Sequence, residues 1–288
     1  MKFRGASGYR TGYAGLMKHH LMKHQQIIDG IDVFIEGQGA QSIVMIHGWP
    51  DTYRLWDAQV AAFQSSYRCI RFTLPGFDIS KPRRAYSLDE TIRIFTDIVE
   101  QTCPGQRVIL LVHDWGAGFG YQFCMRHPEL VARLIGVDIG DASSPEHKRS
   151  LPAAAKLIVE AYQGWLSLAW RVGGHVGDSM SAGLARLMKH RGESRYISSA
   201  MNYPYFIRRT GAHGSYLDMR PIAPPCPMLF IYGTKKPFMF HSPQWVEQLA
   251  RKPDSKVLAM PTGHWPMVEQ PDAFNQSVLS WLAGSGAK

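Results

Sequence analysis

Residues 110–118 read Leu110-Leu111-Val112-His113-Asp114-Trp115-Gly116-Ala117-Gly118. The run that leads into them, Gln106–Val112, is rich in Val, Ile and Leu, as in a strand buried on both faces. A glycine-rich helix over Trp115–Arg126 follows at once, so Asp114 stands at the apex of a sharp strand-to-helix turn. This is the geometry of a nucleophile elbow with a carboxylate where serine is common. A side chain at such an apex stands clear of the sheet. The amides and dipole of the helix N-terminus favour its ionised form. An ionised carboxylate so placed can attack an alkyl carbon and form an ester. The plainer alternative is an aspartate that only caps the helix. The small residues after Asp114, and two further motifs, favour the nucleophile.

Outward from the elbow, apolar runs alternate with amphipathic stretches. Gln26–Ile28 and Ile31–Ile35 flank Asp29-Gly30 as a hairpin. Strands are expected at Ser42–Ile46, Tyr67–Phe72, Leu134–Ile139, Met228–Tyr232 and Lys256–Met260. Helices are expected at Tyr53–Phe63, from Ser87 to about Cys103, at Pro243–Leu249 and at Asp272–Leu282. Ser87 and Glu90 form a capping box for the second of these. Such alternation implies an α/β fold, a mostly parallel sheet with helices on both faces. The rhythm stops near Gly140, and residues 144–220 read as mainly helical, rich in Ala, Leu, Met and Trp. The chain thus divides into a core (1–143 and 221–288, with a basic arm over 1–25) and a helical cap (144–220). An insertion between two strands of one sheet lies over the strands' carboxyl ends, where open parallel sheets bind ligands.

Two motifs sit at strand ends. His47-Gly48-Trp49-Pro50 follows the Ser42–Ile46 strand, and the N–H groups of Trp49 and Trp115 can converge on one oxygen as an oxyanion hole. Pro261-Thr262-Gly263-His264-Trp265-Pro266 follows the last strand, where His264 can act as a base on water. With 12 histidines in the chain, it is this position that singles out His264.

Composition narrows the class. The 288 residues are 45% hydrophobic and 19% charged, which excludes disorder and fits one large domain carrying an insertion. No run of about 18 apolar residues exists, so no membrane insertion is expected. Four scattered cysteines without a CxxC pair argue against disulfides or structural zinc and for a reducing, cytoplasmic setting. The acid-free start, with Lys2, Arg4, Arg10, Lys18 and Lys23, reads as a solvated arm rather than a transit peptide. The net charge of +9 is scattered without interleaved aromatics, so no nucleic-acid partner is expected. The cap carries eleven Lys and Arg against five Asp and Glu, a solvated face that can also steer anions.

At HGWP, HDWGA and GHWP, in that order and spacing, the chain resembles the α/β-hydrolase superfamily, in its aspartate-nucleophile branch of epoxide hydrolases and haloalkane dehalogenases. The resemblance covers residues 26 to 284. It implies about eight strands, a helical cap, no metal and no organic cofactor. It also implies Asp114 as nucleophile, His264 as base, and Trp49 and Trp115 as oxyanion donors. Many members carry the acid that orients the histidine in a Gly-x-x-Asp pattern after the penultimate strand. This chain has Gly233-Thr234-Lys235-Lys236 there. Some dehalogenases place the acid after the strand that follows the elbow helix. Asp138 occupies that place, with Asp141 in reserve, and a pair without a third member is the remaining option.

Epoxide opening needs an acid for the ring oxygen, and the family's epoxide hydrolases use cap tyrosines in an Asn-Trp-Tyr-Arg-like run. Ala200-Met201-Asn202-Tyr203-Pro204-Tyr205-Phe206 resembles it with Pro204 inserted, making Tyr205 and Tyr203 candidates and Tyr162 a partner, unless all three only pack the cap. Dehalogenation needs two halide donors: the Trp115 indole and, in place of the family's Asn at position 49, a cap tryptophan, Trp165 or Trp170. HGWP followed by Asp51 resembles epoxide hydrolases more. The substrate expected is a small apolar epoxide, with a haloalkane as alternative. Hydrolysis of an ester or β-lactone is a further alternative, as is a non-catalytic ligand-binding protein, for which Lys236 speaks.

Overall fold

The computed structural model describes residues 23–214 and 216–284; most of the basic arm lies outside them. Alternation of buried and half-buried residues along β2 (Ile31–Glu36) marks a strand with one covered face. The strands β3 (Ser42–Ile46) and β5 (Val108–His113) are buried throughout, as central parallel strands must be. With β1 (Lys23–Ile28), β4 (Arg68–Phe72), β6 (Val131–Val137), β7 (Met228–Gly233) and β8 (Lys256–Met260) they form one eight-stranded sheet. Its order is β1-β2-β4-β3-β5-β6-β7-β8. The pairs β1–β2 and β2–β4 are antiparallel and the rest parallel.

Successive residues of β5 face opposite sides. Leu110 and Val112 pack with Ile92, Phe95, Phe119 and Phe123 of helices α2 (Leu88–Thr102) and α3 (Trp115–Arg126). Ile109 and Leu111 pack with Phe63, Phe274 and Trp281 of α1 (Asp57–Phe63) and α10 (Pro271–Gly284). Ser87 and Glu90 exchange both capping bonds at the start of α2, at 3.1 and 2.9 Å.

Between β6 and β7 the chain is helical: α4 (Pro145–Ser150), α5 (Ala153–Val172), α6 (Gly174–Leu187), short 3-10 turns and α7 (Tyr203–Thr210). Three buried contacts tie this segment to the sheet side. The Trp49 indole N–H donates to Asn202 Oδ1 (2.7 Å), the Tyr203 hydroxyl donates to Pro75 O (3.0 Å), and His190 Nε2 lies 2.9 Å from Asp51 Oδ1. Among the described residues no helix is long and apolar enough to cross a membrane.

Some bounds differ from expectation for local reasons. The expected Tyr53–Phe63 helix opens as a 3-10 turn, Tyr53–Trp56, because Thr52 caps Arg54 N. The helices α8 (Pro243–Ala250) and α9 (Pro266–Glu269) follow β7 and β8, and the second is a single turn too short to show a period. The strand β6 stops at Val137 rather than Ile139. Asp138 takes a positive φ of 66° while its N–H still bonds Ile231 O.

Candidate active site

Register builds the site. The parallel pairing of Ile46 with Val112 ends β3 and β5 side by side, so the His47–Pro50 turn abuts the elbow. The chain runs from β3 to β4 on one side and returns to β5 on the other. The crevice between β3 and β5 is therefore the switch point where such sheets bind ligands.

Asp114 sits at φ 51°, ψ −124°, a conformation that costs an L-residue on the order of 1–3 kcal/mol and persists only where the surroundings impose it. They do so through close approach. A Cβ at Gly48 would lie 2.4 Å from Asp114 Oδ1 and 2.5 Å from Trp115 N, and one at Gly116 would lie 2.3 Å from His47 O. Asp114 Oδ1 accepts the Trp49 N–H at 2.7 Å. Its Oδ2 lies 3.4 Å from His264 Nε2, and the two side chains remain 15% and 16% exposed.

His264 leaves β8 on the loop that α9 closes; Glu269 Oε1 accepts the Gly263 N–H at 2.9 Å. His113 Nε2 lies 2.9 Å from the His264 carbonyl, so it carries the ring proton. Burial pushes the His113 pKa down to about 4, so that ring is neutral.

The Asp138 carboxylate, fully buried, points back across the sheet ends. Its Oδ2 is 2.5 Å from His264 Nδ1, and its Oδ1 accepts the Gly233 N–H at 2.9 Å and contacts Lys236 Nζ. Burial alone would raise its pKa, but the Lys236 ammonium and the His264 contact outweigh it and hold it at about 2. For His264 burial opposes protonation, yet its bonds to Asp114 and Asp138 and their charges raise its pKa to about 9. Asp141 is occupied elsewhere: it accepts from Ser242 N (2.6 Å), Ser242 Oγ (2.7 Å) and Ser144 Oγ (2.6 Å).

Of the tyrosines, Tyr205 and Tyr162 are brought together, with ring centroids 6.2 Å apart. Tyr205 packs edge-on against Trp115 (5.2 Å) and Trp49 (6.2 Å). Burial, with the Asp114 charge added, raises the Tyr205 pKa well above that of a free phenol and the Tyr162 pKa to about 12. Tyr203 does not join them. Its hydroxyl is spent on Pro75 O, and its ring packs on Phe77 and Trp170. Its proximity in sequence to Tyr205 misleads because residues two apart on a helix do not share a face.

The two cap tryptophans have partners of different kinds, one through its indole N–H and the other through its ring face. The Trp165 N–H donates to Met180 O at 3.1 Å, and Trp170 lies under the Arg83 guanidinium at 3.7 Å. Asp51 joins His190 to the Trp265 indole N–H, which donates to it at 2.9 Å. Sequence reasoning missed one member of the cluster. Lys236 stands out in the sequence only as a replacement for an acid, and its contact with Asp138 needs the β6–β7 pairing to appear.

A model of the α/β-hydrolase fold matches residues 41–271. In sequence the chain is similar to epoxide hydrolase 4 of Homo sapiens, 23% identical over 271 residues covering 85% of this chain and 73% of the relative. It is also similar to epoxide hydrolase 1 of Caenorhabditis elegans, 33% identical over 100 residues, which are 34% of this chain and 24% of that one. In fold it is similar to an epoxide hydrolase of Bacillus megaterium, with a TM-score of 0.68 at 19% identity, covering 90% of this chain and 100% of that one. Together with the sheet order and the elbow between β5 and α3, the match over most of its length shows that the chain belongs to the α/β-hydrolase family, among relatives named as epoxide hydrolases.

Proposed function

We propose that this chain opens epoxides to diols through a covalent ester on Asp114, beneath a cap formed by residues 144–220. The observation that carries the reading is the pairing of Tyr205 with Tyr162 beside Trp115, near enough to Asp114 for its charge to act on both phenols, while Asp114 Oδ2 faces a histidine-aspartate pair. Asp114 Oδ2 attacks a ring carbon, the ring C–O bond breaks, and the released electron pair on oxygen takes the Tyr205 proton. A phenol with a raised pKa keeps its proton at neutral pH and gives it up only to a stronger base, such as the nascent alkoxide.

Water then attacks the ester carbonyl and passes a proton to His264 Nε2. Asp114 Oδ1, held by the Trp49 N–H and beside that of Trp115, carries the developing charge. The acyl C–O bond breaks, the departing oxygen takes the proton from the His264 imidazolium, and the new Asp114 carboxyl group gives its own proton back to His264 as the diol leaves. Halide departure would need free indole donors. Those of Trp49 and Trp165 are spent, and that of Trp115 faces Tyr205. The contact between Asp138 and His264 supports a catalytic over a merely ligand-binding role.

The test is to trap the ester. His264→Gln is expected to stop after a single alkylation by an aryl epoxide, leaving on the peptide that contains Asp114 a mass increase equal to the epoxide. An unmodified peptide under conditions where the unaltered enzyme turns over would refute the mechanism.

Tyr205→Phe is expected to slow ring opening by about 10²-fold, within the usual range for a lost general acid. Tyr203→Phe is expected to leave the opening rate essentially intact and cost only the buried hydrogen bond, about 1 kcal/mol. Single-turnover kinetics on both variants separates them. Equal effects at the two positions would remove the acid role from Tyr205.

A further inference from the structure

Lys236 stands three residues past Gly233 at the end of β7, its side chain only 6% exposed. Its ammonium contacts Asp138 Oδ1 and lies 5.1 Å from the centre of the Phe240 ring. Asp138 therefore serves two cations at once, His264 on Oδ2 and Lys236 on Oδ1. A buried ion pair is a weak source of stability, because desolvation offsets much of the attraction. Its larger consequence is for the charge on neighbouring groups.

We propose that Lys236 is a positioning residue that cancels the charge of Asp138, so that His264 gives up its proton when Asp114 becomes an ester. The inference rests on the covalent reading above and on the charges that surround His264. Facing His264 are Asp114 on the elbow, Asp138 after β6 and His113 at the end of β5, and Lys236 after β7 meets the other oxygen of Asp138. His241, before α8, faces Lys236, and Asp51 with His190 lies beyond Trp265. Burial pushes His113 and His241 to about 4, so both are neutral.

In the resting site two carboxylates face two cations, Lys236 and a protonated His264, and the charges balance. That agrees with the raised His264 pKa. Ring opening turns Asp114 into a neutral ester and leaves Tyr205 as a phenolate. Asp138 and Lys236 now cancel, and an imidazolium would be an uncompensated charge on a largely buried ring. The His264 proton passes to the Tyr205 phenolate. The phenol is restored and His264 becomes the neutral base that the second step needs. Without Lys236, Asp138 alone would balance the imidazolium and hold the proton on it.

Asp114→Asn supplies a neutral isostere of the esterified side chain, so the His264 pKa can be read without turnover from imidazole NMR, assigned by its loss in His264→Gln. In Asp114→Asn, with Lys236 present, the pKa is expected to fall from its resting value to or below that of free imidazole, about 6.5. Adding Lys236→Gln, which retains a donor for Asp138 and drops the charge, is expected to raise it by about one unit or more. Adding Lys236→Arg is expected to leave it in place. In the otherwise unaltered enzyme, Lys236→Gln should shift the pH of half-maximal ester hydrolysis upward by the same amount.

A His264 pKa that ignores Lys236→Gln would overturn the proposal. So would one that stays near its resting value in Asp114→Asn alone, a measurement that requires no change at Lys236. Failure of the covalent reading shows separately, as an absent adduct in His264→Gln.

Discussion

Asp114→Asn is expected to abolish epoxide turnover, with kcat/KM lower by at least about 10⁴-fold, while the protein stays as stable as before. The amide is isosteric, and its carbonyl oxygen can still accept the Trp49 N–H that holds Asp114 Oδ1. Asparagine is also among the few residues that tolerate a positive φ, so the elbow at φ 51° is not lost with the charge. What disappears is the anionic lone pair proposed to attack carbon. Steady-state hydrolysis of an aryl epoxide, with thermal unfolding of the same preparation and an intact mass to exclude reversion to the acid, gives the result. Turnover within tenfold of the unaltered enzyme would mean that water, not Asp114, attacks the ring. A matching loss of stability would mean that the elbow had collapsed.

Asp138→Ala is expected to damage both stability and chemistry. It leaves the Lys236 ammonium buried without a counter-charge, which typically costs about 3–5 kcal/mol. In a chain of this size that lowers the melting temperature by on the order of 10 °C. It also removes the acceptor from His264 Nδ1, so the ring loses its orientation and the stabilisation of its protonated form, and ester hydrolysis falls by about 10²–10⁴-fold. The two effects separate in the double variant Asp138→Ala with Lys236→Met. Removing both charges is expected to restore most of the melting temperature and none of the hydrolysis rate. Thermal unfolding of the single and double variants, set beside single-turnover ester hydrolysis, provides the check. A single variant as stable as the parent would mean that the ion pair does not shape the folded state.

The parts of the site that were legible in the sequence share a property: each is a short motif at a strand end. Leu110 to Gly118 carries the elbow because strand, apex and helix are contiguous, and glycine is needed where backbones touch, as at Gly48 and Gly116. HGWP and GHWP were legible for the same reason. Asp138 is reached only through the place that some related dehalogenases give this acid, with Asp141 in reserve. Tyr203 and Tyr205 were not distinguishable in sequence, since both are aromatic residues of one helical turn.

Sequence alone therefore determined the α/β class, the alternation of strands and helices, and the residues at the strand ends, because burial periodicity and turn chemistry are local. The tertiary structure alone decided which side chains share charge. Pairing of β6 with β7 carries Asp138 to Gly233 and within reach of Lys236, 98 residues further along. The packing of α5 against α7 sets Tyr162, not Tyr203, beside Tyr205. Electrostatic coupling depends on distance through space between largely buried groups, and no local pattern in the chain encodes that distance.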